Sequence, residues 1–275
     1  MEGGAMRGMF TAGVVDVMME HRVEFEGAIG VSAGAVFGCN YKAKQPGRVI
    51  RFNCAYCNKP TYAGFRSLVL SGDIFGEQFC YHDVPERLDP FDYEAFRNNP
   101  MEFYVVTTDV NTGQPLYKRV DECDKTGMLW MKASASLPLV SKIVRVDGYE
   151  MLDGGIGDSV PVKYMENHGY DRNVVILTRP EGYVKRRYQI MPFAKVLLRK
   201  YPNMIEAMSN RHIRYNENIQ YILEREAAGE LFVIRPPKAI AVDSVERNRT
   251  RLLNAYYMGR ETMEAQMDRL LDYIK

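Results

Sequence analysis

Three short stretches of this chain carry groups that could perform acyl transfer. Gly30-Val31-Ser32-Ala33-Gly34 sets a serine between an apolar run and a small-residue run. That is the strand-to-helix setting in which G-x-S-x-G presents a nucleophilic hydroxyl above a sheet. So sharp a turn presses the backbone against its neighbours. Gly30 and Gly34 leave room for it, and Ala33 and Ala35 keep the approach open. The N-terminus of the following helix adds partial positive charge where an oxyanion would develop. Gly3-Gly4-Ala5-Met6-Arg7-Gly8 precedes another helix. Consecutive small residues there can turn N–H groups toward an anion, and one such donor is worth about 3–4 kcal/mol of barrier in acyl transfer. Asp153-Gly154-Gly155 follows a predicted strand. The commonest meaning of that tripeptide is a turn. Its chemical reading is a general base, a buried carboxylate basic enough to take a proton from a nearby hydroxyl.

The elements that must position these groups are legible from periodicity. Phe10, Gly13, Val14, Val17 and Met18 recur at helical spacing after the glycine-rich turn. Phe25 to Val31 reads as a buried strand and Ala33 to Lys42 as a helix. Residues 45–100 mix short helices with loops. Phe103 to Thr108 is a strand, turned by Asn111-Thr112-Gly113 into a returning strand over Pro115 to Val120. A helix over Met128 to Ala135 is stopped by Pro138. Asp147-Gly148 is a hairpin turn between Ile143–Val146 and Glu150–Leu152, and Val174 to Thr178 is another buried strand. Beyond 179 the pattern is helical over Lys195–Lys200, Met204–Arg225 and Val245–Ile274, with a short strand over Leu231–Ile234. Strands alternating with helices predict a largely parallel α/β sheet covered on both faces. We therefore expect a hydrolase domain over 1–178 and a mainly helical extension over 179–275.

Composition narrows the class. The chain has 275 residues, 26% charged and 46% hydrophobic, with a net charge of +1, so no global field points to nucleic acid or membrane. No apolar run is long enough to span a bilayer. The first residues lack the basic head and apolar block of a secretion signal. Five irregularly spaced cysteines fit a reducing compartment better than a disulfide framework. A cytoplasmic protein, peripheral to membranes at most, is expected.

Rival chemistry is weaker. Cys54-Ala55-Tyr56-Cys57 with Cys80 and His82 has zinc-ligand residue types, but only one C-x-x-C pair exists, and inert packed cysteines are the plainer reading. Of His21, His82, His168 and His212, only His212 follows the acid as a conventional triad would require. It sits among polar residues of a predicted helix and is expected at the surface. Lys185-Arg186-Arg187, Lys195, Arg199 and Lys200 flank Ile190, Met191, Phe193, Val196 and Leu197. That mixture suits a membrane-facing lip as well as a solvated helix. For Arg7 a structural ion pair is expected, with a loop-orienting or phosphate-binding role as the alternative. No nucleic-acid-binding pattern is present.

The three stretches, in this order, resemble the patatin-like phospholipase family. Its pattern is a glycine-rich E-G-G-G-x-R-G loop, then G-x-S-x-G, then D-G-G or D-G-A. Here these stand as Glu2 to Gly8, Gly30 to Gly34, and Asp153-Gly154-Gly155. Supporting segments are similar too: Ala133-Ser134-Ala135-Ser136-Leu137-Pro138, Thr108-Asp109 with Thr112-Gly113, and Asp158-Ser159-Val160-Pro161-Val162. The resemblance covers about residues 2–178. It implies a three-layer α/β/α hydrolase acting on lipid esters, with Ser32 as nucleophile and Asp153 as base. An oxyanion hole would form around Gly3, Gly4, Ala5, Arg7 and Gly8, and no metal or organic cofactor is needed. A thioesterase or peptidase on the same dyad, and a non-catalytic lipid- or protein-binding module on the same fold, remain the alternatives. Two departures favour the non-catalytic alternative. Ala5 stands where the family has glycine, and would strain the loop if φ must be positive. Family members also carry an apolar strand before the loop. This chain begins at Met1, so either its true start lies upstream or the sheet loses an edge or inner strand, and a missing inner strand would leave ladder groups unpaired.

Overall fold

A computed structural model describes the backbone of all 275 residues and every side chain except those of Phe65, Leu70 and Ser71. In chain order the elements are α1 (Gly8–Glu20), β1 (Gly27–Val31), α2 (Ala33–Lys42), α3 (Arg48–Tyr56), α4 (Phe65–Ser71) and α5 (Tyr93–Asn98), with a π-helical segment over Phe79–Leu88. Then come β2 (Glu102–Asp109), β3 (Pro115–Arg119), α6 (Lys125–Ser134), β4 (Val144–Val146), β5 (Tyr149–Asp153), α7 (Val162–Asn167) and β6 (Asn173–Ile176). The remainder is α8 (Met191–Leu197), α9 (Pro202–Ala227), β7 (Leu231–Ile234), α10 (Arg249–Glu264) and α11 (Met267–Ile274).

The sheet is mixed, which corrects the expectation of a largely parallel one. β1 pairs β2 in parallel, but β2–β3, β2–β5 and β4–β5 are antiparallel. The cause lies in the turns at Asn111–Gly113 and Asp147-Gly148. Connections that short can only return the chain antiparallel, whereas a parallel neighbour needs a long crossover. β6 and β7 form a separate parallel pair.

β2 shows how both sheet faces are covered. Phe103 and Val105 enter the core that α1, α2 and α10 share, while Tyr104 and Val106 pack with Met165 of α7 on the other face. This alternation is the period-two signature of a strand sandwiched between helical layers. α10 lies across α1 at unusually short range. A Cβ on Gly13 would fall 2.1 Å from the Tyr256 carbonyl oxygen, and one on Gly259 2.0 Å from that of Phe10. Each glycine makes way for the other helix's backbone.

Two helical expectations shift. The final one is divided: α10 starts after Asn248, whose side chain caps the N–H groups of Thr250 and Arg251, and the chain breaks before α11. The helix expected over Lys195–Lys200 begins earlier, at Met191, because Pro192 is accommodated in a first turn.

Met1 and Glu2 occupy a strand-like position between the two sheets. The Met1 amine donates to Ile29 O and Val31 N–H donates to Met1 O, while Glu2 N–H donates to Ile176 O. β1 and β6 flank a groove of about 510 Å³, lined by Ala28, Ile29, Asn173 and Val174 among others.

Candidate active site

Ser32 ends up beside Asp153 because of β2. Even-numbered residues of β2 turn their backbone polar groups to one edge: Glu102 N–H donates to Glu26 O, and Val110 N–H to Glu150 O. β1 and β5 therefore lie end to end along that edge, while β3 takes the opposite one through Phe103 O and Asp109 N–H. Val31 stands opposite Val106 and Asp153 opposite Thr107. The two strands run toward one another and both terminate at this junction.

Ser32 caps α2 with φ 54° and ψ −122°, a backbone conformation that costs a residue with a Cβ of order 1–3 kcal/mol. The surroundings hold it there. Ser32 N–H donates to Ser134 Oγ at 2.8 Å, Ser134 Oγ donates onward to Val106 O, and Ala35 and Val36 N–H groups donate to Ser32 O. Gly34 is required by contact: a Cβ there would lie 2.5 Å from Met1 O.

Asp153 is 2% exposed. Its Oδ1 accepts from Gly155 N–H at 2.8 Å, and its main chain is clamped by Ser136 O and Thr108 Oγ1. Oδ2 is buried without a hydrogen-bond partner. Burial pushes this carboxyl above the ordinary range, opposed by the neighbouring Ser32 hydroxyl and by Arg211. Ser32 is thus close enough to bias the carboxylate, yet no hydrogen bond of ordinary geometry joins them. Such slack is common where the bond tightens only with substrate present.

The glycine loop is tied down by a residue that the sequence reading gave no role of its own. Glu2 is 1% exposed. Its carboxylate accepts from Thr178 N–H (2.5 Å), Thr178 Oγ1 (3.1 Å) and Tyr215 OH (2.9 Å). The N–H groups of Gly4 and Ala5 are bound to no acceptor among the described residues, and both residues line the Ser32 cleft. Ala5 has φ 48°, so the position does adopt the left-handed conformation for which glycine would be the unstrained choice.

The cleft holding Ser32 and Asp153, about 260 Å³, is also lined by Arg7, Arg179, Lys185 and Arg211. Arg7 forms no ion pair among the described residues, contrary to expectation, and its Nε is buried without an acceptor. Burial first, then Arg179, pushes its guanidinium down from the ordinary value. His212 lines the same cleft, half-buried, rather than lying at the surface. It bonds to neither Ser32 nor Asp153. His21, His82 and His168 lie elsewhere, against Glu264, Glu86 and Tyr164. On the other side of Ser32 is an apolar pocket lined by Val36, Phe37, Phe52, Tyr62, Phe75 and Leu137 among others.

All five cysteines are free. Cys57 and Cys80 donate to the carbonyls of Arg247 and Tyr62, and burial pushes the Cys80 thiol up to about 12. Among the described residues, no three His, Cys, Asp or Glu side chains are grouped as a metal site. None of the described helices is long and apolar enough to cross a membrane.

Arg211 was also missed, although its signal was present. α9 buries Met204, Ala207, Met208, Tyr215 and Ile222, and Arg211 falls on that stripe, a cation at a position whose helical spacing points inward.

Residues 1–165 match the sequence profile of the patatin-like phospholipases, and residues 201–275 match that of a domain of unknown function, DUF6363. With the motifs and more than half the chain matched, the protein belongs to the patatin-like phospholipase family. A similar curated protein is the uncharacterized protein YjjU of Escherichia coli (strain K12), 26% identical over 270 residues, covering 94% of this chain and 73% of YjjU. Among solved structures, VipD from Legionella pneumophila is similar at a TM-score of 0.41 and 12% identity, covering 96% of this chain and 66% of VipD.

Proposed function

We propose that the protein hydrolyses carboxylic esters of lipids through a Ser32–Asp153 dyad and an acyl-enzyme. The observation that carries this reading is the buried, unpartnered Oδ2 of Asp153 beside a serine held at positive φ. Asp153 takes the Ser32 proton as Oγ attacks the ester carbonyl. The free N–H groups of Gly4 and Ala5 receive the negative charge that forms on oxygen. Collapse expels the alcohol, which leaves with the proton held by Asp153. A water deprotonated by the same carboxylate then attacks the acyl-enzyme, releasing the fatty acid and regenerating Ser32. No step requires a group other than these side chains and backbone donors.

In this reading residues 1–178 form the hydrolase domain, and 179–275 a helical extension that walls the cleft. In the segment that follows Tyr183, Val184, Ile190, Phe193, Val196 and Leu197 are exposed, interspersed along the chain with the exposed Arg186, Arg187, Lys195, Arg199 and Lys200. Apolar side chains set among cations suit a lip resting on an anionic membrane surface, reached from the cytoplasm.

The test is labelling with a fluorophosphonate probe, read by intact mass and peptide mapping. A single adduct on Ser32, absent from Ser32→Ala, is expected. A well-folded protein that takes no label would favour a binding module on this fold.

A further inference from the structure

Ser32 lies where two unlike cavities meet, an apolar pocket on one side and a polar cleft on the other. The cleft gathers cations from four separate places: Arg7 in the glycine loop, Arg179 after β6, Lys185 in the following loop beside the exposed Arg186, and Arg211 on α9. None of the four forms an ion pair with a carboxylate among the described residues. The Nε atoms of Arg7 and Arg179 are enclosed without any acceptor. The nearby Glu2 carboxylate is already committed to Thr178 and Tyr215. Burial, followed by Arg211, Arg7 and Arg179, pushes the Lys185 ammonium down to about 7, with Glu2 opposing. The cleft therefore holds cations in excess of its one lining carboxylate, Asp153, in a chain whose net charge is only +1. Arg211 is held by Gly155 O and Tyr188 OH, and positive charge in excess of the lining carboxylate, beside the acceptor-free Nε donors of Arg7 and Arg179, is complementary to a compact anion.

The cleft tyrosines, and Tyr215 packed against one of them, sharpen the choice. Tyr183 is faced by Arg179 at 4.3 Å, Tyr188 by Arg211 at 5.2 Å and Tyr215 by Lys185 at 4.0 Å. Rings already covered by the protein's own cations are not open to a quaternary or primary ammonium headgroup. The opposite pocket, lined by Phe37, Phe52, Tyr62 and Leu137, offers an acyl chain only apolar contact.

Resting on the Ser32 hydrolase reading, we propose that the enzyme selects single-chain or glycerol-based acyl esters whose headgroup is an uncompensated phosphate, with the phosphate held by Arg7, Arg179, Lys185 and Arg211 and the acyl chain in the apolar pocket. Zwitterionic choline esters and neutral acylglycerols are the disfavoured competitors. Three of the four cations lie beyond residue 178, so the helical extension sets headgroup choice, while the hydrolase domain carries the chemistry.

The experiment compares lysophosphatidic acid, lysophosphatidylcholine and monoacylglycerol of one chain length in mixed detergent micelles at equal surface concentration. Wild type should favour lysophosphatidic acid by about tenfold or more in kcat/KM. That preference should collapse in an Arg179→Gln/Lys185→Gln double variant and persist in Lys238→Gln, which removes an exposed cation that does not line the cleft. Equal rates on the three lipids, or a preference that survives in the double variant, would overturn the proposal. A binding arm separates it from the hydrolase reading. Ser32→Ala should bind lysophosphatidic acid more tightly than glycerol 3-phosphate or inorganic phosphate, and lose that binding when Arg179 and Lys185 are also replaced. Should no ester be cleaved and no fluorophosphonate adduct form, the hydrolase reading fails, and this arm alone judges the anion site. Inorganic phosphate bound as tightly as the lipid would assign the site to free phosphate and overturn the headgroup proposal.

Discussion

Ser32 and Asp153 are brought together by register on a third strand: Val31 pairs with Val106, Asp153 pairs with Thr107, and both pairings use the same edge of β2. Neither residue reaches the other through its own local structure. The proposed dyad is therefore as secure as the two terminating strands. Ser32→Ala and Asp153→Asn are each expected to lower ester hydrolysis by about 10³-fold or more. His212→Ala, which removes a cleft-lining side chain bonded to neither residue, should keep turnover within about tenfold of wild type. Steady-state kinetics on a soluble ester checks all three.

Activity and stability should move in opposite directions with pH. Burial holds the Asp153 carboxyl above the ordinary carboxylate range. A carboxyl raised on folding favours the folded state while protonated, and that contribution is lost as pH climbs from the ordinary range through the raised value. In the proposed mechanism the base works only when ionised, so kcat/KM should rise across the same window in which the melting temperature falls. Asp153→Asn removes the ionisation and should melt about 2 °C higher than wild type near pH 8. Thermal melts of both proteins from pH 5 to 9 decide this; parallel curves would show that Asp153 is not the titrating group.

Ala5 stores removable strain. At φ 48° its methyl group costs about 1–2 kcal/mol, while glycine would return about 0.4–1 kcal/mol of this through a freer unfolded chain. Ala5→Gly should therefore be equally or slightly more stable, with undiminished hydrolysis. Ala5→Val should lose both. Chemical denaturation and ester kinetics on the pair test whether the loop conformation is the one that works.

The crossing of α1 and α10 leaves no room for a methyl group. Gly13→Ala and Gly259→Ala would each force a Cβ to about 2 Å from a facing carbonyl oxygen, and a destabilisation of about 1–3 kcal/mol is expected from each. Because each change pushes the same two helices apart, the double variant should cost less than the sum of the singles. Strict additivity in denaturation midpoints would show that the crossing does not act as one contact.

Much of the candidate site was legible in order and spacing alone. Ser32 and Asp153, the glycine turn and the β2–β3 hairpin are set by local constraints: small residues where backbones crowd, and turn chemistry between apolar runs. Helical and strand periodicity likewise marked most elements to within a few residues, because it reports which face is buried whatever the partner is. What the partner is, only the tertiary structure decided. Two hairpins made the sheet mixed. β2 offered one edge to both β1 and β5. Glu2 found Thr178 and Tyr215 across the whole chain, and Arg7, Arg179, Lys185 and Arg211 converged from positions as far apart as 204 residues. Pairing partners and convergent charges are long-range matters. Their free energies depend on which surfaces meet, and no local window of sequence contains both sides of such a contact.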